Sequence, residues 1–436
     1  VKKNINVGLL GLGSIGSGVY NVLRKHSRDY KQNIGASIAI KKIAVKNKRK
    51  KRDVYVDPKM LTTDASSIIN DPEIDIVIEL IGGTKIARNL IIKALNNKKH
   101  VVTANKEVMA QYGKELFDTA NKNEVDLYFE ASVGGGIPII KPLKDSLEAN
   151  KITKIMGIVN GTTNYILSKM SDEDLSYKQA LKEAQEKGFA EADPEADVGG
   201  GDAASKIAIL ASIAFNSRIT KEKVFIEGIT SITPKDLDYA ADMGHVIKLL
   251  AIAKHEDEKA EVRVHPTMIK NDHPLAAVNG AYNAIFVEGD AVGEVMFFGQ
   301  GAGSLPTASA VIADTLEIVK NINTGVTGKR MVCTCYDKIK IKPMVDITSS
   351  FYLRMKVADK PGVLAKISKI FGDNKASIKS VIQKGPAVAA GRHGRSAELI
   401  FITHPVVEAN LRKALTGINK LDQVIAVKNV IRVEEG

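Results

Sequence analysis

Short apolar runs alternate with amphipathic stretches through the first third of the chain. Residues 4–10 (NINVGLL) end in a glycine-rich turn, and a helix is predicted over Ile15–Lys25. The runs Ile38–Val45 and Ile74–Ile81 (IDIVIELI) read as strands; the second is a near-continuous apolar run, the pattern of a strand buried on both faces of a parallel sheet. A helix near Ala87–Asn96, a strand at His100–Thr103, a helix at Lys106–Lys122 and a strand at Asp126–Glu130 continue the series. Strand and helix in alternation predict a doubly wound parallel sheet, here assigned to residues 1–135.

The pattern then changes. Residues 136–330 read as an α+β domain, with helices near Pro138–Ala149, Leu175–Lys187, Ala203–Phe215 and Met243–Ala253. Within it, the glycine-rich stretch 299–315 leads into a helix, and residues 299–330 are expected to pack back on the first domain. Residues 345–436 form a third unit: strand (Phe351–Val357), helix (Pro361–Phe371), strand (Ser377–Gln383), strand (Ala397–Thr403), helix (Val406–Gly417) and strand (Val424–Val433). This βαββαβ order is ferredoxin-like. Pro361 suits the first turn of its helix and Asp359 is placed to cap it. A Gly- and Arg-rich loop over Lys384–Ser396 separates the middle strands.

Composition narrows the class. With 436 residues and 44% apolar side chains, the chain can bury a full core. It has no Trp, and its 5% aromatic content argues against a stacking surface for nucleic acid. No apolar run approaches a membrane span. Cys333 and Cys335 make neither a disulfide framework nor a zinc site, and reduced thiols fit a cytoplasmic protein. The net charge is +12, with eight basic residues between Lys41 and Arg52. Such a run is ordinarily a solvated loop.

The segment Gly8–Gly16 (GLLGLGSIG) gives that basic run a second meaning. Gly11, Gly13 and Gly16 form G-x-G-x-x-G between a strand and a helix, the context in which the pattern marks a dinucleotide. Gly11 permits the turn, Gly13 lets main chain approach a pyrophosphate, and Gly16 lets helix and strand close up. The N–H groups of Ser14 and Ile15 face the phosphates. The second strand ends in Val45-Lys46-Asn47-Lys48-Arg49, with no carboxylate to repel a 2′-phosphate and with Lys46 among the cations able to pair with it. NADP is therefore expected to bind at least as well as NAD.

Two lysines qualify for the reaction centre. Lys106 follows a strand of the nucleotide-binding sheet, at the edge where open α/β sheets bind ligands. Lys206 is the only charge between Ala203 and Phe215, with Asp202 one turn earlier on the same helix face. A helix apolar around its circumference is buried, which sets Lys206 apart from a surface lysine. Glu191, Asp193, Glu195 and Asp197 crowd the preceding segment, either as an acidic loop or as a wall for an ammonium group.

Taken together, GLGSIGSGV (11–19), ELIGGT (79–84), TANK (103–106), EASVGGGIPII (130–140), NGTTNYIL (160–167), GFAEADPEADVGGGDAASK (188–206) and GQGAGSLPTASAV (299–311) resemble the homoserine dehydrogenases. The segment around Asp359-Lys360-Pro361-Gly362 resembles an ACT domain, an amino-acid-sensing module. The resemblance implies reversible NAD(P)H-dependent reduction of L-aspartate 4-semialdehyde to L-homoserine, on the way to threonine, methionine and isoleucine. By the same resemblance Lys206 is the proton donor and acceptor, and Lys106 touches cofactor and substrate. Glu191 and Asp202 hold the substrate amino group with Asp197 behind them, and Thr84 and Gly303 line the nicotinamide end. Glu130, with the carbonyls of Val133, Gly135 and Ile137, holds a structural sodium ion. A threonine effector at the ACT domain and a homodimer or homotetramer are also implied. Two other readings stay open on residues alone: a reductase of a different small amino-acid aldehyde, and a non-catalytic nucleotide sensor. Deleting residues from about 345 onward is expected to spare catalysis.

Overall fold

The apolar runs of the first third assemble into a six-stranded parallel sheet in the computed structural model, which describes residues 2–387 and 396–435. Its order is Leu61–Thr62, Ser37–Ala44, Asn4–Leu10, Ile76–Glu79, His100–Thr103, Leu127–Tyr128. The central strand Ile76–Glu79 is buried throughout, and the apolar residues of Asn4–Leu10 beside it are buried as well. Strand order reverses beside Asn4–Leu10, and the crevice beyond the strand ends at such a switch point is where ligands bind. Sequence patterning did not signal the strand Leu61–Thr62 or the helix Ser27–Ile34. Two residues carry no periodicity, and the helix buries none of its side chains.

The chain divides into two compact units that do not follow sequence order. The first comprises Val1–Val159, Ala203–Val224 and Tyr282–Ile339. Besides the parallel sheet it holds three antiparallel strands, Ile152–Ile158, Tyr282–Gly289 and Gly293–Gln300. Its helix Ser304–Thr324 lies against the helix Ser14–Lys25, and Ser304 Oγ donates to the Ser14 carbonyl at 2.7 Å. The helix expected over Pro138–Ala149 is only a wide turn at Pro142–Ser146. The N–H groups of Ile139, Ile140 and Lys141 are taken by the Glu130 carboxylate instead of by main chain.

The second unit comprises Asn160–Asp202, Phe225–Ala281 and Lys340–Gly436. The helix expected over Met243–Ala253 is a strand, His245–Glu256, paired antiparallel with Lys259–Lys270 from end to end. Its run from Ile247 to Ala253 is buried on both faces, and a continuous apolar run does not distinguish a buried strand from a buried helix.

The C-terminal segment has the expected ferredoxin-like sheet, ordered Val424–Glu434, Thr348–Ala358, Ser396–Thr403, Ile378–Ala387. Helices Val363–Asp373 and Glu408–Ile418 cover a core that includes Phe351, Leu353, Phe371, Leu399 and Phe401. The first helix starts two residues later than expected. Gly362, at φ +83°, turns the chain into it, and Asp359 accepts from Gln383 Nε2 (3.4 Å) instead of capping it. Of the expected 384–396 loop, residues 388–395 lie outside the described ones, while 384–387 and Ser396 belong to strands.

This segment is not a separate bead. Strand Val424–Glu434 pairs parallel with Lys259–Lys270, so one sheet runs through the unit. Buried charge welds the seam. Asp236, fully buried, accepts from Arg354 Nε (2.7 Å), Asn429 Nδ2 (2.9 Å), Tyr352 OH (3.1 Å) and Thr233 Oγ1 (2.7 Å). Burial alone would raise its carboxyl, but these partners outweigh it and hold it below the usual range. Arg432 bonds Glu408 at 2.7 Å and Glu227 at 2.9 Å, and Arg263 pairs with Glu434. Among the described residues, no helix is long and apolar enough to cross a membrane.

Candidate active site

The glycine loop has the shape of a pyrophosphate cradle. Gly11 sits at φ +103°, its N–H bonded to the Ala44 carbonyl (2.9 Å). A Cβ on Gly16 would stand 2.4 Å from the Gly11 carbonyl oxygen, so only glycine lets the helix start there. A Cβ on Gly13 would meet nothing within 4 Å, which leaves open space on the side a phosphate would occupy. No side chain caps the helix Ser14–Lys25, so the first-turn N–H groups of Ser14 and Ile15 keep their capacity for an anion. The residues present therefore fit a dinucleotide.

Beyond the second strand, Lys46 and the rest of the basic run to Lys50 are exposed. The run is not uniform. Lys41 is paired with Asp71 and Glu73, and the Arg52 guanidinium donates to the carbonyls of Asn47 (2.6 Å) and Lys50 (2.8 Å), closing the loop on itself. Lys46, Lys48, Arg49, Lys50 and Lys51 are exposed cations of this turn.

A residue that sequence reading passed over organises the neighbouring turns. Glu79, the last residue of Ile76–Glu79, is fully buried. It accepts from the Ile81 N–H (2.8 Å) and from Thr103 Oγ1 (2.7 Å). Thr103 Oγ1 in turn accepts from the Asn105 N–H (3.1 Å), and Asn105 Nδ2 donates to the Gly83 carbonyl (2.7 Å). This chain ties the Gly82-Gly83-Thr84 turn to the Thr103–Lys106 turn. Burial pushes the Glu79 carboxyl up against the pull of those bonds. The only signal was a carboxylate ending an otherwise apolar strand.

Lys106 opens the helix Lys106–Lys122, whose N-cap Asn105 accepts from the Val108 N–H (3.2 Å). Thr84 precedes the helix Lys85–Asn96, and Gly303, at φ +118°, precedes Ser304–Thr324. Lys206 lies one turn into the helix Gly201–Ala214, half-buried, its Nζ donating to the Val159 carbonyl at 2.6 Å.

The Glu130 turn differs from expectation. The carboxylate is buried and receives three main-chain N–H groups, from Ile139 (2.6 Å), Ile140 (2.7 Å) and Lys141 (2.7 Å), which commits it to capping rather than to a cation. Asp314 accepts the Glu130 N–H at 2.8 Å, and its burial beside Glu130 drives its own carboxyl well up. Gly134 and Gly135 both take positive φ, turning the main chain between Val133 and Ile137.

In the second unit, Asn160 joins two of the predicted carboxylates. Its Nδ2 donates to Asp197 (2.8 Å) and to the buried Asp202 (2.9 Å), while its Oδ1 caps the helix Gly161–Asp172 through the Thr163 N–H (2.9 Å). Asn160 was missed as a site residue, although Asn-Gly-Thr-Thr before an apolar run is an N-cap signature. Glu191 stands apart, exposed, its carbonyl held by Gln185 Nε2 (3.0 Å).

Comparisons with known proteins agree on one family. The homoserine dehydrogenase model matches residues 138–316, its NAD-binding domain matches 11–130, and an ACT domain matches 351–423. The chain is 45% identical over 432 residues to the homoserine dehydrogenase of Bacillus subtilis (strain 168), covering 99% of both chains. It is 46% identical to that of a Synechocystis strain, covering 98% of this chain and 99% of the other. A solved homoserine dehydrogenase from Thiobacillus denitrificans, 41% identical, superposes with a TM-score of 0.91 over 100% of this chain and 99% of its own. With a glycine loop shaped for a dinucleotide, matching catalytic and NAD-binding domains and a C-terminal ACT domain, the chain belongs to the homoserine dehydrogenase family of nicotinamide-dependent oxidoreductases.

Proposed function

We propose that the chain interconverts L-aspartate 4-semialdehyde and L-homoserine, accepting NADP at least as well as NAD, with Lys206 as the proton donor and acceptor. The observation that carries this is the setting of Lys206. Its ammonium is oriented by the Val159 carbonyl, one turn after an Asp202 that Asn160 holds in place.

A nicotinamide held at the glycine loop would supply or take the hydride. Reduction of the aldehyde builds negative charge on its oxygen, and an oriented ammonium both stabilises that charge and gives it a proton. Lys206 does this, and takes the proton back in the oxidative direction. Lys106, on a helix N-terminus braced by the Glu79–Thr103–Asn105 chain, contacts cofactor and substrate, with Thr84 and Gly303 at the nicotinamide end. Asp202 and Glu191 bind the substrate ammonium, and Asp197 sits behind Asp202 through their shared Asn160. Fixing that ammonium aligns the carbonyl for transfer. Lys46, with its exposed neighbours Lys48 and Arg49, pairs with the 2′-phosphate of NADP.

A monovalent cation at the 130–137 turn would be held by main-chain oxygens of Glu130, Val133, Gly135 and Ile137, because the Glu130 carboxylate is already engaged. Oxygen donors suit a hard cation. The C-terminal module binds threonine as an effector, and the chain acts in the cytoplasm as a homodimer or homotetramer, in the biosynthesis of threonine, methionine and isoleucine.

The test is the absorbance of NADPH formed from homoserine and NADP, with NAD in parallel and threonine added. Turnover with NADP, slowed by threonine, is expected. Intact cofactor binding without turnover would overturn the enzymatic reading in favour of a sensor, and turnover with NAD alone would overturn the cofactor assignment.

A further inference from the structure

Cys333 and Cys335 play no part in the site described above. They lie in the first unit, half-buried in a cavity of about 40 Å³ walled by Met109, Phe117, Phe129 and Ile209. Met109 and Phe117 belong to the helix that opens with Lys106, and Ile209 to the helix that carries Lys206.

Charge in this cavity has one sign. Lys144, Arg218 and Lys114 are its charged lining groups, and no carboxylate lines it among the described residues. Each cation is anchored. Lys144 Nζ donates to the Val332 carbonyl (2.7 Å), Arg218 Nη2 to the Ala110 carbonyl (2.7 Å), and Lys114 to Asp118 (2.6 Å). The two cysteines, two residues apart in the chain, line the same cavity. The neighbouring Cys335, opposed by burial and aided by Lys144 and Arg218, brings Cys333 down to about 6, while Cys335 is driven up. One sulfur is thus poised as a thiolate and the other as its proton-bearing partner.

We propose that Cys333 and Cys335 are a reversible dithiol–disulfide site for a small hydroperoxide. The cavity has room for a molecule the size of hydrogen peroxide beside the two sulfurs. Two sulfurs fall short of the four ligands of a structural zinc site. The Cys333 thiolate attacks one peroxide oxygen. The O–O bond breaks, the departing hydroxide takes back from solvent the proton that Cys333 gave up on ionising and becomes water, and Cys333 becomes a sulfenic acid. The Cys335 sulfur then attacks Cys333 sulfur. The S–S bond forms, the S–O bond breaks, and a second water leaves with the Cys335 proton. Two thiols lose two electrons, and one hydrogen peroxide becomes two waters.

The experiment treats the full-length protein with one equivalent of hydrogen peroxide and reads intact mass and free thiols. Both thiols should disappear together with a mass decrease of about 2 Da per chain, and dithiothreitol should restore both. Cys335→Ser should stop at a sulfenic acid that a 1,3-diketone captures. Cys333→Ser should consume peroxide at least about tenfold more slowly, because the remaining thiol is not activated. A mass increase in place of the decrease, a disulfide between chains, or Cys333→Ser reacting as fast as the unaltered protein would each overturn the proposal. The unaltered protein alone supplies the first two readouts, so the result does not depend on either variant folding.

Discussion

The two units hold their functional residues by opposite means. In the first, the cofactor cradle is main chain: glycines, an uncapped helix start, and a brace of hydrogen bonds behind Lys106. In the second, Asp197 and Asp202 rest on the Asn160 side chain, and the main chain beside Asp197 packs toward strands tied to the C-terminal module. Arg432 of the module's last strand bonds Glu227, and the Glu227 N–H reaches the Val264 carbonyl at 2.8 Å. Next along the chain, the Ile229 N–H reaches the Val198 carbonyl at 2.9 Å, and a Cβ on Gly228 would stand 2.3 Å from the same oxygen. Val198 adjoins Asp197. A change at the module thus has a contiguous, tightly packed route to the acidic segment. A main-chain cradle tolerates changes of charge but not of volume; a charge network tolerates neither the loss of a partner nor acid.

The comparison can be broken at several points. The largest effect is expected at Lys206. Lys206→Ala should lower turnover by about 10²–10⁴-fold, the usual span for a positioned acid–base group, with NADPH binding within about twofold of normal by fluorescence titration. Near-normal turnover would remove Lys206 from its role.

Next comes the seam of the second unit. Arg354→Met leaves Asp236 buried without its cation and should cost about 3–5 kcal/mol in urea unfolding. Asp236 also has a pH signature. Its folded carboxyl lies below the unfolded value, so its stabilisation is complete above about pH 4 and is lost as pH falls through the lower folded value. The unaltered protein should therefore lose stability on that acid limb, and Arg354→Met should flatten it; parallel slopes would show that Asp236 is not what the module's charge holds.

In the first unit, Gly16→Ala should act through volume alone. The added methyl, forced toward the Gly11 oxygen, should weaken dinucleotide binding by about 1–3 kcal/mol, equally at pH 6 and pH 8. A strong pH dependence would contradict a main-chain cradle. The smallest effect is expected at Asn160. Asn160→Ala removes a helix cap worth about 1 kcal/mol and unties Asp197 from Asp202. It should raise the KM for homoserine more than it lowers kcat, and an unchanged KM would separate Asn160 from the substrate.

Much of this was readable in advance where short-range rules apply. The Gly11–Gly16 loop, the helix at Lys106 and the C-terminal strand–helix order follow from local pattern. Legibility failed where burial removes periodicity, as in His245–Glu256, whose apolar run resembled a helix. It failed also where a single distant side chain rewrites main chain, as Glu130 does at Ile139–Lys141. The module looked removable because its boundaries are clear in sequence. In the fold its removal would strip Asp236 of Arg354, Tyr352 and Asn429, and Arg263 of Glu434, so deletion from residue 345 should destabilise the second unit rather than spare it.

The sequence by itself determined the chemical inventory: the lysines proposed to carry protons, a glycine loop of the kind that meets a pyrophosphate, and which segment bears negative charge. Those properties belong to residue types at fixed short spacings. Only the tertiary structure decided the partners: Glu79 behind Lys106, Asn160 between Asp197 and Asp202, and Asp236 across the module's seam. Each of those contacts closes over a long stretch of chain, and burial sets its strength.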